Sequence, residues 1–124
     1  MNENLNVPES DYPTDLKGLR AYCGGKEALV QKVLNSFVEV SPQYLKELSE
    51  VLVNGNCEEI RALCHKIRGA GSIIRADSLL EIVAQIRQSS IDAELDQAKE
   101  RMPALEKAVA DISDFIKKLG FTPS

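Results

Sequence analysis

Apolar residues in the last third of the chain recur at alternating spacings of three and four, which is the pattern of one face of a helix. A stripe of this length needs other helices to cover it, so the chain is predicted to form a helical bundle. Pro103 interrupts the stripe and either kinks one helix or separates two that run end to end. The stripe consists of Leu95, Ala98, Met102, Leu105, Val109, Ile112, Ile116 and Leu119.

Helical spacing also runs through most of the preceding chain, and no stretch alternates convincingly in the manner of a β-strand. A short first helix is predicted over residues 14–22 and ends at Gly24-Gly25. The next helix begins at Lys26. Ser41-Pro42 has the composition of a helix start, so the segment from there to Asn54-Gly55 is either a new helix or a kinked continuation.

Polar residues mark the remaining helix boundaries. Asn56 and Glu59 resemble a capping box, and the helix that they open is predicted to run to about Ile74. Because the connections are short, neighbouring helices should run antiparallel. The predicted fold class is all-α: an antiparallel four-helix bundle with an additional short N-terminal helix. The other boundaries are predicted as a cap at Asp77 or Ser78, an end at Ser89-Ser90 and a new start at Asp92.

Length and charge narrow the class of protein. The 124 residues fit one domain, predicted over residues 12–120, with a flexible N-terminal segment at 1–11 and a tail at 121–124. A net charge of −4 argues against nucleic acid as the main partner. No apolar run approaches the roughly 18 residues that span a bilayer, and no signal peptide is recognisable, so we expect a cytoplasmic protein without membrane insertion. We expect a monomer, since no extra apolar stripe demands a dimer.

His65 is the only histidine in the chain, and it falls on the exposed face of its helix. At about 100° per residue, one side of this helix is apolar and His65 lies nearly opposite. The apolar side comprises Ile60, Leu63, Cys64, Ile67, Gly71 and Ile74. The residues beside His65 are Arg61, Ala62, Arg68, Gly69 and Ser72.

Small and basic neighbours of His65 favour a functional role for it. Glycine inside a helix costs about 1 kcal/mol relative to alanine. Helix packing explains Gly71 but not the exposed Gly69, which leaves a clearing one turn from the imidazole. Arg61 and Arg68 flank that clearing and are suited to binding phosphate oxygens. The alternative is that His65 is an ordinary solvated surface residue.

Residues 65–70, HKIRGA, resemble the motif of the histidine-containing phosphotransfer (HPt) domain: His, any residue, an aliphatic, Lys or Arg, Gly, then Ser or Ala. The helical segments before the motif and Ala76 and Leu79 after it fit the same family, so the resemblance covers residues 14–119.

The resemblance implies a role for each residue of the motif. It implies that His65 is phosphorylated on its outward ring nitrogen. It also implies that Arg68 steadies the phosphoryl group and that Gly69 lets a receiver domain dock. Arg61, Ser72 and Gln88 complete the predicted phosphoryl- and partner-binding residues.

Two positions depart from the family pattern. Arg75 stands where many members have Gly, which bears on the turn into the next helix. Arg87 stands where members often have a Gln bonded to the histidine, and Gln85 or Gln88 is the expected substitute. These departures concern how the imidazole is oriented.

The resemblance implies a phosphocarrier, not an enzyme. His65 would accept a phosphoryl group from one receiver aspartate and pass it to another receiver. The implied partners are response-regulator receiver domains and a hybrid sensor histidine kinase. The receiver would supply Mg²⁺, so no cofactor of the chain's own is expected, and no metal site. The docking surface is predicted to include Tyr12, Leu16 or Leu19.

Other readings of the histidine are weaker, with one exception. The helix pair of a sensor kinase typically has an acidic residue and then Pro after its histidine, whereas Lys66 follows here. Nucleophilic catalysis by Cys64 and His65 fails because neighbouring helix residues point about 100° apart. Three cysteines without CxxC spacing and a lone histidine do not indicate a metal site. The remaining alternative is a helical adaptor that binds receivers or other signalling proteins without carrying phosphate.

Overall fold

A computed structural model describes residues 8–120 of the chain. The predicted C-terminal tail and residues 1–7 of the predicted flexible segment lie outside the described residues. Within that segment, Glu9–Asp11 form one turn of 3-10 helix. Six α-helices follow: α1 Leu16–Tyr22, α2 Glu27–Asn54, α3 Cys57–Ile73, α4 Asp77–Ile91, α5 Leu95–Glu100 and α6 Met102–Lys118.

Four helices surround one core, which confirms the predicted bundle with its short N-terminal helix. α3 packs against both α2 and α4, and α6 packs against the same two helices. α3 and α6 therefore occupy diagonal corners, and α1 lies against α2. The short α5 precedes α6 and packs mainly against α4. This arrangement leaves one face of α3 free of helical neighbours.

The apolar stripe of the last third is the α5–α6 contribution to the core. Every member from Ala98 to Leu119 is buried, and Leu95 is partly buried. Pro103 separates two helices rather than kinking one, because Arg101 ends α5 and Pro103 occupies the first turn of α6. A proline is tolerated there since the first N–H groups of a helix have no intrahelical partner.

Pro42 does not start a new helix. α2 continues through it for 28 residues and ends where Gly55 adopts a left-handed φ of 73°. Because proline has no N–H, the Val38 carbonyl lacks its usual partner at this point. The two alternatives for Ser41-Pro42 therefore resolve in favour of one continuous helix.

The predicted end of α4 at Ser89-Ser90 was wrong. Both residues lie inside the helix and are buried, and the Ser90 hydroxyl donates to the Ile86 carbonyl at 3.0 Å. A polar side chain satisfied by its own helix needs no break in that helix.

Two further boundaries around α4 were also wrong. Asp92 follows the last residue of α4 and does not start the next helix. Ala76, which offers no side-chain cap, precedes α4 where Asp77 or Ser78 was expected to cap it. The helix therefore begins without a side-chain signal in the sequence.

Among the described residues, five helices are followed by a residue of left-handed φ, and three of them, α1, α3 and α4, share a pair of reversed hydrogen bonds. In α1 that residue is Gly24, in α3 it is Arg75 with φ 58°, and in α4 it is Ala93 with φ 60°. The pairs of reversed hydrogen bonds define Schellman motifs, for example Glu94 N–H to Ser89 O at 2.8 Å with Ala93 N–H to Ser90 O at 3.2 Å. Arg75 therefore keeps the turn in which glycine is usual.

No helix in the described part of the chain is both long and apolar enough to cross a membrane.

Candidate functional site

α3 carries the candidate site, and its start and orientation are set locally. The Asn56 side chain accepts a hydrogen bond from the Glu59 N–H at 3.1 Å, as the capping pattern predicted. The predicted apolar side of the helix is buried at all six positions from Ile60 to Ile74. The orientation of α3 inferred from the sequence is thus confirmed. The exposed residues include His65 and its predicted neighbours Arg61, Ala62, Arg68, Gly69 and Ser72.

His65 contacts Arg68 through one ring nitrogen. The Arg68 Nη2 lies 3.4 Å from the His65 Nδ1. A guanidinium has hydrogen-bond donors only, so Nδ1 must accept, and the proton of the neutral ring is then on Nε2. Attack through Nε2 needs the lone pair of that nitrogen. Arg68 must therefore release Nδ1, and the ring proton must move to Nδ1, before Nε2 can act as a nucleophile.

The two glycines of α3 have opposite surroundings. A Cβ placed on Gly69 would meet no atom of the described residues within 4 Å. A Cβ on Gly71 would lie 2.8 Å from Leu79 Cδ2 and 3.2 Å from Leu80 Cδ2, both on α4. Gly71 therefore permits close packing of α3 on α4. Gly69 leaves open space one turn from His65.

A groove of about 470 Å³ lies between α3 and α4, and His65 forms part of its wall. Three arginines line it with His65: Arg61 and Arg68 from α3 and Arg87 from α4. The described part of the chain shows no ion pair for any of these arginines. The other lining residues are Glu58, Ala62, Cys64, Val83 and Ala84.

Cys64 lies beneath this groove with its side chain buried. Burial raises the pKa of the Cys64 thiol to about 11, and the Arg87 charge acts in the opposite direction. The thiol therefore stays protonated near neutral pH and adds no negative charge to the groove. Cys64 and Arg87 both line this groove.

Arg87 lines the groove at the position where the resemblance placed the family's Gln, although it was not among the predicted site residues. The expected substitutes for the family's Gln point elsewhere: Gln88 donates to Asp92 at 3.1 Å, and Gln85 accepts from Arg101 at 3.0 Å. Neither lines the groove, and neither does Ser72. Adjacent residues on a helix cannot both face α3, so Gln88 cannot face the groove when Arg87 does.

A second, apolar groove lies on the other side of α3, where it meets α2. Its exposed apolar residues are Leu29, which is 42% exposed, and Ile73, which is 46% exposed. The predicted docking residues are placed differently: Leu16 and Leu19 are fully buried, and Tyr12 packs its ring on Phe115 at a centroid distance of 4.8 Å. The prediction that Leu16 or Leu19 forms a docking surface was therefore wrong.

Among the described residues, no three His, Cys, Asp or Glu side chains are grouped so as to hold a metal ion.

Comparison with known families agrees with this geometry. A family model described as Hpt domain matches residues 32–115, which is more than half of the chain and includes α3 and α4. The chain belongs to the HPt domain family. No curated protein and no solved structure matches it. HPt domains are phosphotransfer carriers of two-component phosphorelays that interact with receiver domains and kinases, so the chain has a phosphotransfer role.

Proposed function

We propose that His65 is the phosphorylated residue, accepting a phosphoryl group from one receiver aspartate and passing it to another. The observation that carries the proposal is the open space beside an exposed imidazole. A side chain added at Gly69 would have no neighbour within 4 Å of its Cβ, and Arg68 lies 3.4 Å from the ring. A receiver's active site needs that space, because in-line transfer brings donor and acceptor atoms within about 3–3.5 Å.

The transfer step balances without a cofactor of this chain. Nε2 of His65 forms a bond to phosphorus as the phosphorus–oxygen bond to the receiver's aspartate breaks. The bonding pair stays on the aspartate carboxylate, and the ring proton, by then on Nδ1, remains there or leaves to solvent. Mg²⁺ on the receiver would offset the charge of the phosphoryl oxygens. Residues of this chain bring the nucleophile and positive charge, so the carrier depends on its partners for the remaining machinery.

Docking of the receiver would use the apolar groove between α2 and α3. Leu29 and Ile73 expose apolar surface there, and Gly69 lies one turn before Ile73 on α3. Leu29→Asp should therefore reduce the transfer rate at least tenfold, an effect of about 1.4 kcal/mol or more, because docking would bury a charge. Val53→Asp is the matched control: Val53 is 73% exposed at the other end of α2 and should leave the rate unchanged.

Three further features belong to this proposal. The donor kinase would be a hybrid sensor histidine kinase, whose receiver domain loads His65. The protein would act in the cytoplasm, where such receivers are found. It would act as a monomer, which sedimentation velocity tests directly.

The direct test mixes the protein with a radiolabelled, phosphorylated receiver domain and Mg²⁺, beside a His65→Ala variant. We expect label on the wild type alone, lost in acid and retained in base, as a phosphorus–nitrogen bond requires. If several receivers bind but the protein acquires no label, the proposal is wrong and the helical adaptor is the better description. Label that persists on His65→Ala would place the modification elsewhere.

A further inference from the structure

We propose that Arg61, Arg68 and Arg87 together form a phosphoryl-binding site that biases the transfer equilibrium toward the phosphorylated carrier. This inference rests on the proposed phosphorylation of His65. Its starting point is that α3 and α4 bring three guanidinium groups into one groove beside the imidazole. Arg87 is the distinctive member, since it arrives from a different helix.

The charge balance of the groove favours an anion. Glu58 is the only acidic residue among the groove's lining residues, so three arginines and one glutamate leave a formal charge of +2 with His65 neutral (+3 − 1). The three arginines repel one another and, among the described residues, have no ion-pair partner to offset that repulsion. An anion in the groove would relieve it.

A phosphoryl group on His65 would supply the negative charge that the groove lacks. It brings a charge of about −1.5 to −2 and three acceptor oxygens. Guanidinium groups supply paired donors that fit such oxygens, and charge-assisted hydrogen bonds of this kind are about twice as strong as neutral ones. The groove therefore offers donors from two helices to one phosphoryl group.

The arrangement of the arginines divides their roles. Arg61 and Arg68 stand one turn before and after His65 on the same helix, so they approach the ring from both directions along α3. Arg68 contacts Nδ1 and must release it before Nε2 attacks, so Arg68 is then free to bind the phosphoryl oxygens. Arg87 stands across the groove on α4 and is free of that contact. Arg87 therefore acts as a positioning residue: it binds the phosphoryl group after transfer and does not contact the imidazole before transfer.

Stabilising the phosphorylated form has a measurable consequence. A site that binds the phosphoryl group after transfer but not before raises the equilibrium fraction of phospho-His65. It also slows hydrolysis of phospho-His65, because the bound oxygens are less accessible to water-assisted loss. The carrier would thus hold its phosphoryl group between partners.

The test compares Arg87→Met with Lys66→Met, because Gln at position 87 would restore the side chain that family members bond to the histidine. Both variants lose one positive charge, and Lys66 is exposed beside His65 but outside the groove. Each variant is mixed with a phosphorylated receiver and Mg²⁺, and the equilibrium ratio of phosphocarrier to phosphoreceiver is measured, followed by the half-life of the isolated phosphocarrier. We expect Arg87→Met to lower both quantities about fivefold and Lys66→Met to change them less than about twofold.

Arg87→Lys separates charge from geometry. A lysine keeps the charge but loses the paired donors, so it should restore only part of the fivefold loss. If Arg87→Met and Lys66→Met give equal ratios, the three-arginine site is wrong while phosphorylation of His65 stands. If the wild type acquires no label, the proposed function itself fails. Arg87 is exposed, so circular dichroism should show all three variants folded.

Discussion

At the scale of single residues, the two glycines of α3 show how one residue type serves two purposes. Gly69 faces open space and Gly71 faces the side chains of α4. The chain tolerates the cost of both in one helix, about 1 kcal/mol each. Close packing of α3 on α4 explains Gly71. Packing does not explain Gly69, so the reason for a glycine there must be the approach of a partner from outside.

Exchanging each glycine for alanine should change stability in opposite directions. Gly69→Ala should raise the free energy of unfolding by about 0.5–1 kcal/mol, because a better helix former meets no obstacle. Gly71→Ala should lower it by about 1–2 kcal/mol, because the new Cβ would overlap with Leu79. Urea denaturation measures both values. Equal effects of the two substitutions would contradict the assigned environments.

A larger side chain at Gly69 should separate stability from transfer. Gly69→Leu adds helix propensity but fills the clearing beside His65, so we expect phosphoryl transfer to fall about a hundredfold while the fold is retained. The measurement is the initial rate of label transfer from a phosphorylated receiver. Transfer at the wild-type rate would show that the receiver does not approach over this residue.

Cys64 should make stability fall in alkali. Its folded pKa of about 11 exceeds the ordinary value of 9.0, so the folded state holds the proton that the unfolded state releases. The stabilisation is complete below pH 9 and is lost as the pH rises toward 11, by up to about 2–3 kcal/mol. Unfolding by urea at about pH 8, 9, 10 and 11 measures the loss. Cys64→Val, which cannot ionise, should show a smaller decline over the same range.

At the scale of helices, α2 contains the least regular feature of the fold. Pro42 is exposed inside a 28-residue helix and leaves the Val38 carbonyl without its usual partner. Ser41, immediately before it, is buried, and its hydroxyl has no hydrogen-bond partner among residues 8–120. The packing of α2 against α3 and α6 holds the helix together across this point.

Pro42→Ala should therefore stabilise the protein. It restores an N–H to the helix and removes no buried contact, and we expect a gain of about 1–3 kcal/mol in the free energy of unfolding. Thermal and urea denaturation test this. Gln43→Ala, an exposed alanine substitution at the next position, is the control and should change stability by less than about 0.5 kcal/mol. A loss of stability in Pro42→Ala would mean that α2 is not continuous at Pro42.

Helix existence was predictable from sequence, and helix ends only where a specific chemical signal marked them. Asn56 and Gly55 marked the start of α3 and the end of α2, because a side-chain cap and a left-handed turn each require particular residues. Ala93 and Arg75 take the same left-handed conformation without being glycine. At those positions the paired reversed hydrogen bonds of the helix end accompany it, and no local pattern in the sequence marks them.

At the scale of the whole molecule, charge is distributed unevenly. The chain has a net charge of −4, while the groove beside His65 has a formal charge of +2 from its lining residues (+3 − 1). A partner that presents acidic residues, as a receiver's metal-binding pocket does, is attracted to the groove and repelled by the rest of the surface. Such a field orients the partner before contact.

Transfer should therefore slow as salt increases. Raising the ionic strength from about 0.05 M to 0.5 M shortens the screening length from about 14 Å to about 4 Å, so we expect the second-order rate of transfer to fall about tenfold. Quenched-flow mixing with a phosphorylated receiver measures the rate at each salt concentration. A rate independent of salt would remove electrostatic orientation from the mechanism.

The exposed half of the candidate site was predictable from helical spacing, whereas Arg87 on its far wall was indicated only by its family position. His65, Arg68, Gly69 and Arg61 share one helix, so their common face follows from helical spacing alone. Arg87 reaches the groove only because Gly71 lets α4 approach α3 closely. Convergence of residues from two helices depends on packing distance and rotation, and a single sequence does not specify either.

The two grooves beside α3 would serve different purposes: one would bind the phosphoryl group and the other would contact the partner protein. The charged groove uses α3 and α4, and the apolar groove uses α2 and α3. If both proposals hold, a change on the α2 surface alters partner choice and leaves retention of phosphate untouched. After gene duplication, a copy of this chain could acquire a new signalling partner by stepwise substitution in α2. Each intermediate would still carry phosphate, so a new partner specificity could evolve without loss of phosphotransfer.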